Sequence, residues 1–209
     1  MEASPFFLVG LGNPGPEYAG TRHNVGFDLL DRLVRSLGVP WTKPWFRPLF
    51  LARSMARSPA IICVKPQTYM NRSGTVLPWL QSRYGLDVSR LCVITDNMDL
   101  PPGEIRMKRR GGHAGHNGLK SVGAGLRTEE FARLYVGIGR PPRESNTVDH
   151  VLGSFSPDDR RSVDAAFERV VPLLERASGT TLDQLITLVN ERRRASAQLP
   201  SGQLPSGEA

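Results

Sequence analysis

Five polar residues stand at loop positions from which they could act on one substrate. His23 lies in the polar stretch "EYAGTRHN" and Asp96 closes the apolar run of "LCVITDNMD". Asn13, Asn71 and Asn117 sit in "GLGNPG", "TYMNRSG" and "GGHAGHNG". An imidazole, with an ordinary pKa of about 6.5, can take a proton from water near neutral pH. An aspartate on its other ring nitrogen fixes the tautomer and stabilises the imidazolium. A carboxamide offers a donor and an acceptor, so several in one pocket could read an amide and its attached sugar, or hold an oxyanion. Taken singly, each asparagine reads more simply as a turn or cap residue.

Other chemistries fit less well. His113 and His116 are three apart, a spacing compatible with metal ligation, but Gly111, Gly112, Gly115 and Gly118 surround them and give no rigid helix face. There is no H-E-x-x-H and no G-x-S-x-G elbow. Cys63 and Cys92 lie in the apolar runs "AIICVK" and "RLCVIT", which predicts buried, reduced thiols and suits a reducing cytosolic setting.

Gly10, Gly12 and Gly15 spell the dinucleotide fingerprint G-x-G-x-x-G. In such a site the helix begins at the fingerprint, so that its amides meet a pyrophosphate. Here Pro14 and Pro16 flank Gly15, and "EYAGTRHN" intervenes before any helical period. The acid expected about 20 residues on is missing, since the next strand, "RPLFLAR", ends in arginine. A Rossmann site is therefore not expected.

The elements that must position these groups alternate. Strands are predicted over 6–11, in "RPLFLAR" and "AIICVK" around a turn at Ser58-Pro59, in "LCVIT", in "GEIRMK" and in "RLYVGIG". Helices are predicted over 24–37, with the stripe Phe27, Leu30, Val34 and Leu37, and over 70–84, 157–177 and 181–195, with one more opening from the "GGHAGHNG" loop. The expected fold is α/β: a single-domain three-layer sandwich over residues 1–195, with a twisted, mostly parallel (mixed) central sheet and helices on both faces. Ligands in such sheets sit beyond the carboxyl ends of the strands. From Ser196 to Ala209 the Pro, Gly, Ser and Gln content predicts a disordered tail. No apolar run reaches the roughly 20 residues of a membrane span, and no signal peptide is recognisable. Lys and Arg number 27 against 20 Asp and Glu, a net +7 that favours a polyanionic partner.

Taken in order, "VGLGNPGPEYAGTRHNVGFDLLD", "KPQTYMNRSG", "DNMDLPPGEIRMK", "GGHAGHNGLKS" and "RLYVGIGRP" resemble the bacterial-type peptidyl-tRNA hydrolases from about Leu8 to Phe155, and more loosely to about Asn190. The resemblance implies a monomeric cytoplasmic enzyme, without metal or other cofactor, that cleaves the ester between a peptide and the 3′ ribose of tRNA. It implies His23 as base, Asp96 as its partner, and Asn13 as the residue that helps tell blocked from unblocked aminoacyl groups. Tyr18, Tyr69, Asn71 and Asn117 would line the site and contact the peptidyl-tRNA end. Lys108 and Arg133 would face the tRNA, on the side of its acceptor stem. The chain departs from the family pattern at Asn97-Met98, Arg106, Arg109-Arg110 and Ala114, where Glu-Leu, Lys, Leu-Gly and Gly are usual. "RMKRR" reads equally as a phosphate contact or as a solvated edge. A non-catalytic RNA-binding module on the same fold is the alternative, against which the base and its partner argue.

Overall fold

The computed structural model describes residues 4–56, 59–142 and 146–197, with side chains to residue 191. The apolar runs become six strands: β1 (Phe6–Gly10), β2 (Leu49–Ser54), β3 (Ile61–Pro66), β4 (Leu91–Asn97), β5 (Ile105–Lys108) and β6 (Ala132–Gly137). They form one sheet in the order β2-β3-β1-β4-β6-β5. The inner four strands are parallel, and the edges β2 and β5 run antiparallel to β3 and β6. Every residue of β1 and β6 is buried, as expected of parallel strands covered on both faces.

Alternate side chains of β1 enter different cores. Phe6 and Leu8 pack with α1 (Val25–Ser36), α5 (Pro157–Leu174) and α6 (Leu182–Ala197). Phe7 and Val9 pack with α2 (Leu77–Tyr84) and α3 (Asn117–Leu126) on the opposite face. The sandwich is thus the one expected. Arg160 of α5 ties the first face together, reaching Asp28 Oδ2 of α1 at 2.7 Å and Asp164 Oδ1 at 2.5 Å.

Cys63 and Cys92 are buried in the first core, where burial pushes both thiols up to about 12. Both align with Leu8, one on each side of β1. Two inter-strand steps, roughly 10 Å, separate them, too far for a disulfide.

Three elements differ from the sequence reading. The helix expected over 70–84 is a 3₁₀ segment, Met70–Val76, followed by α2. Pro78 lacks the N–H that an α-helix would give to the Gly74 carbonyl, so the two stretches cannot run as one. A short helix unmarked by periodicity, α4 (Thr147–Leu152), is capped by Asn146, whose side chain accepts from Val148 N. Ser196 and Ala197, assigned to the tail, close α6, and the rest of the expected tail, 198–209, lies outside the described residues, as does Ser58 of the expected turn.

The glycine fingerprint serves packing. A Cβ on Gly10 would lie 2.5 Å from Gly26 O, and one on Gly26 would lie 2.6 Å from Ile94 O. The pair lets α1 cross tightly over the ends of β1 and β4. Two 3₁₀ turns, Pro16–Tyr18 and Arg22–Asn24, separate the loop from α1, so no helix N-terminus meets it. The absence of dinucleotide geometry follows from that separation.

Candidate active site

The loops beyond β1 and β4 are tied together by backbone and amide bonds. Leu11 N–H donates to Ile94 O at 2.9 Å. Asn13 N–H donates to Asn24 Oδ1 at 2.8 Å, and Asn24 Nδ2 returns a bond to Asn13 O at 2.9 Å. Asn24, buried, so fixes the turn that carries His23 to the loop that carries Asn13. In the sequence it is only the first residue of the expected 24–37 helix. In the structure it makes no cap bond to α1.

Met70 N–H donates to Asn13 Oδ1 at 2.7 Å. That bond sets the orientation of the Asn13 amide, because the oxygen must face Met70. The Asn13 Nδ2 donors remain for the cleft that the residue lines.

Asp96 ends the buried part of β4 and accepts from two imidazoles on a single oxygen. His23 Nδ1 and His116 Nε2 each lie 2.9 Å from Asp96 Oδ1. His116 Nδ1 accepts from Gly118 N and Leu119 N, at 3.1 and 3.3 Å, at the start of α3. Its proton therefore sits on Nε2, facing Asp96, and Thr95 Oγ1 lies 2.8 Å from the same nitrogen. Burial alone would raise the Asp96 carboxyl. The two imidazoles, His116 foremost, outweigh that and hold it well below the usual carboxylate range. An anionic Asp96 requires the neutral His23 proton on Nδ1, which leaves the Nε2 lone pair free as a base.

His116 appeared in the sequence only as one of a loosely spaced histidine pair. The structure gives it two positions at once: cap of α3 and second donor to Asp96. Its signal, a residue with ring nitrogens just before a helical run, is visible only once the cap is known. Among the described residues, His23, Asp96 and His116 bring possible ligand atoms within 4.8 Å of one another. A metal on His116 Nε2 would need the proton that the α3 amides hold there, so the set is a hydrogen-bonded relay. His113 turns elsewhere, its Nδ1 accepting from Gly115 N at 3.1 Å.

The relay opens on a cleft of about 600 Å³. Asn13, His23, Asp96 and Asn117 supply its polar side, Met70, Leu119 and Tyr135 line it with larger side chains, and Val148, Val151 and Leu152 of α4 form a further wall. Tyr18, Tyr69 and Asn71 are not part of this lining. Tyr18 and Tyr69 pack edge to face, with centroids 6.4 Å apart, on the segments that flank Asn13. Asn71 is exposed in the 3₁₀ segment that starts at Met70.

Two basic positions fare differently. Lys108 is exposed and unpaired among the described residues, on the edge strand β5, opposite Arg133 of β6. Arg133 is fully buried, contrary to the reading that it faces tRNA. Its guanidinium lies 4.0 Å from the Phe131 ring centroid, and Nη1 donates to Glu129 O and Phe131 O at 3.2 and 2.9 Å. Burial pulls it below its ordinary value. Of the other basic residues in this stretch, Arg109 pairs with Asp183, and Arg110 Nη1 lies 3.4 Å from Glu130 Oε2. Ala114, where glycine is usual, sits at φ 44°, a left-handed conformation that costs a non-glycine residue about 1 kcal/mol.

A histidine base oriented by a buried carboxylate, facing carboxamides across a cleft at the strand ends of an α/β sheet, defines a site of the hydrolase type. A family model described as Peptidyl-tRNA hydrolase matches residues 7–197. A Peptidyl-tRNA hydrolase of Halorhodospira halophila is 43% identical over 193 residues, 92% of this chain and 94% of the relative. One of Halalkalibacterium halodurans is 43% identical over 162 residues, 77% and 86% of the two chains. The crystal structure of peptidyl-tRNA hydrolase from Acinetobacter baumannii superposes with a TM-score of 0.83 at 30% identity, covering 91% of this chain and 96% of the other. The chain belongs to the peptidyl-tRNA hydrolase family.

Proposed function

We propose that the protein hydrolyses the ester joining a peptide, or an N-blocked aminoacyl group, to the 3′ ribose of tRNA, and so frees tRNA for reuse in translation. The observation that carries the mechanism is the 2.9 Å contact between His23 Nδ1 and Asp96 Oδ1, which leaves His23 Nε2 as the free base.

Water gives a proton to His23 Nε2 as its oxygen attacks the ester carbonyl. The imidazolium that forms is stabilised by Asp96, itself held by His116. The carbonyl oxygen gains negative charge in the tetrahedral intermediate. Side-chain amides at Asn13 and Asn117 donate to the substrate there, an effect worth roughly 3 kcal/mol per donor in a dry site. Collapse breaks the bond to the ribose oxygen, which takes the proton from His23 Nε2–H. The products are a free carboxylic acid and tRNA with its hydroxyl restored.

The Met70 bond gives Asn13 one fixed face, and a fixed donor can select the carbonyl of an N-acyl group over a charged amine. Tyr18, Tyr69 and Asn71 contact the end of the substrate next to the cleft. Lys108 lies toward the other end of the sheet, level with a point roughly 10 Å before Asp96 along β4, and meets acceptor-stem phosphates. A monomer acting in the cytoplasm belongs to the same proposal; among the described residues no helix is long and apolar enough to cross a membrane.

The test is release of free tRNA from N-acetyl-aminoacyl-tRNA, with unblocked aminoacyl-tRNA as control. Release from the blocked substrate alone supports the proposal. Tight binding without release would transfer the protein to the RNA-binding reading.

A further inference from the structure

The arginine next to the base serves the wall of the cleft. Arg22 opens the 3₁₀ turn Arg22–Asn24 that carries His23, and no carboxylate pairs with it among the described residues. Its guanidinium goes to α4 instead. Nη1 donates to His150 O at 3.1 Å, one of the last carbonyls of that helix, where a cation also meets the negative end of the helix dipole. The Arg22 backbone N–H donates to Gly153 O at 3.0 Å, and Thr21 bridges Ser154. The chain leaving α4 is thus laced to the chain entering the His23 turn. Phe155 closes the joint, with the guanidinium of Arg22 5.4 Å from its ring centroid and that of Arg160 at 5.9 Å.

What the joint holds is apolar. Val148 and Leu152 are 56% and 36% exposed, and both line the cleft. Val151 lines it too and packs against the first core. Large apolar side chains left in water at a cleft mark a surface that a ligand covers. α4 carries Asp149 and no lysine or arginine, so a phosphodiester finds no cation on it, whereas an acyl side chain finds a surface to pack on. His150 Nε2–H donates to Gly139 O at 2.9 Å, which ties α4 to the loop after β6. The helix therefore has fixed points at Gly139 and at Arg22, and the second is the one adjacent to the base.

We infer that Arg22 is a positioning residue for the acyl half of the substrate. It clamps the C-terminal end of α4 to the His23 turn and so sets the distance between the apolar wall and His23 Nε2. An acyl group whose side chain packs on Val148 and Leu152 is then held with its ester carbonyl at the base, and one without a side chain gains nothing from the wall. The role differs from holding His23 itself, which falls to Asp96 and, through the turn, to Asn24. The inference rests on the proposed ester hydrolysis in the cleft.

Arg22→Met tests it, because the variant keeps an apolar stem beside Phe155 and removes the donors. N-acetyl-leucyl and N-acetyl-glycyl esters of one tRNA compare acyl groups with and without a side chain. The variant should raise KM for the leucyl ester roughly tenfold, the effect of one charge-assisted hydrogen bond, with kcat in place and little change on the glycyl ester. In a Val148→Ala/Leu152→Ala background, which has no wall to hold, Arg22→Met should lose nothing further on the leucyl ester. Equal losses on the two esters, no loss on either, a fall in kcat alone, or full additivity in that background overturns the inference. Arg22→Gln, too short to reach His150 O, carries the same comparison if the methionine variant does not fold. If the wild type releases no tRNA at all, the activity proposal fails by itself, and amide hydrogen exchange over 147–152 still decides the clamp. Arg22→Met should speed that exchange roughly tenfold, and unchanged exchange overturns the clamp.

Discussion

Replacing Asp96 with asparagine removes one charge and almost nothing else. The Asn oxygen can keep the place of Oδ1 and accept from both His23 Nδ1 and His116 Nε2, each 2.9 Å away in the wild type. The tautomer of His23 then survives, and the loss falls on the transition state, in which His23 is an imidazolium. A unit charge pair about 4 Å apart at an effective dielectric of 20 is worth roughly 4 kcal/mol, and a neutral hydrogen bond recovers about 1 of it. The remaining ~3 kcal/mol corresponds to a fall of about 10²-fold in kcat. KM should stay near the wild-type value, since Asp96 Oδ1 is taken up by the two imidazoles. Stability carries a separate signature. The Asp96 carboxyl is held below its unfolded value near 3.9, so its contribution is complete above about pH 4 and fades as pH falls through the folded value. The gap in unfolding free energy between wild type and Asp96→Asn should shift with that sign in acid. Steady-state kinetics over a pH series, with denaturant melts beside it, measure all of this. A folded variant with wild-type kcat would refute the relay.

Three further outcomes follow from single contacts. His116→Ala should lose the α3 cap, about 1 kcal/mol, as well as activity, whereas His116→Asn restores a good cap and recovers melting temperature without recovering kcat; equal recovery of both would reduce His116 to a cap. Gly74→Ala should destabilise by roughly 3 kcal/mol, since its Cβ would lie 1.9 Å from Ser121 O of α3, while Gly112→Ala, with nothing within 4 Å, should leave the melting temperature in place; similar melts for the two would contradict this close approach of the 3₁₀ segment to α3. Lys108→Ala should flatten the log–log salt dependence of tRNA affinity by about one unit with kcat unchanged, whereas Arg133→Ala should act through stability, about 2 kcal/mol, with the slope intact; the reverse pattern would return Arg133 to the RNA face.

What could be read from the chain and what could not divides along range of interaction. Buried parallel strands announce themselves as continuous apolar runs, so "FFLVG" and "LCVIT" were legible, and with them the end of the sheet where His23, Asp96 and Asn13 collect. The stop of α1 at Gly38 and of α2 at Gly85, both at positive φ, is local chemistry of the same readable kind. The convergence of two histidines on one carboxylate oxygen was not, because it depends on the turn of "GGHAGHNG" bringing His116 to β4 across 20 residues. Asn24 holding Asn13 is likewise a pairing between loops, with no period to betray it. Arg133 misled because a charged residue in a strand says nothing of which face it enters; here Phe131 and two carbonyls take it inside. The short α4 is too polar and too brief for a stripe, yet it walls one side of the cleft.

The central claim is that His23, poised by Asp96, activates the water that cleaves the ester. Single-turnover release of tRNA from N-acetyl-aminoacyl-tRNA by His23→Ala tests it most directly, with substrate affinity and melting temperature measured on the same preparation. The side chain is 14% exposed and bonds only Asp96 among the described residues, so the fold should hold and binding should stay within about tenfold. The expected result is a rate lowered by about 10² to 10⁴-fold in a folded protein that still binds its substrate. Release at the wild-type rate by that folded variant would contradict the account.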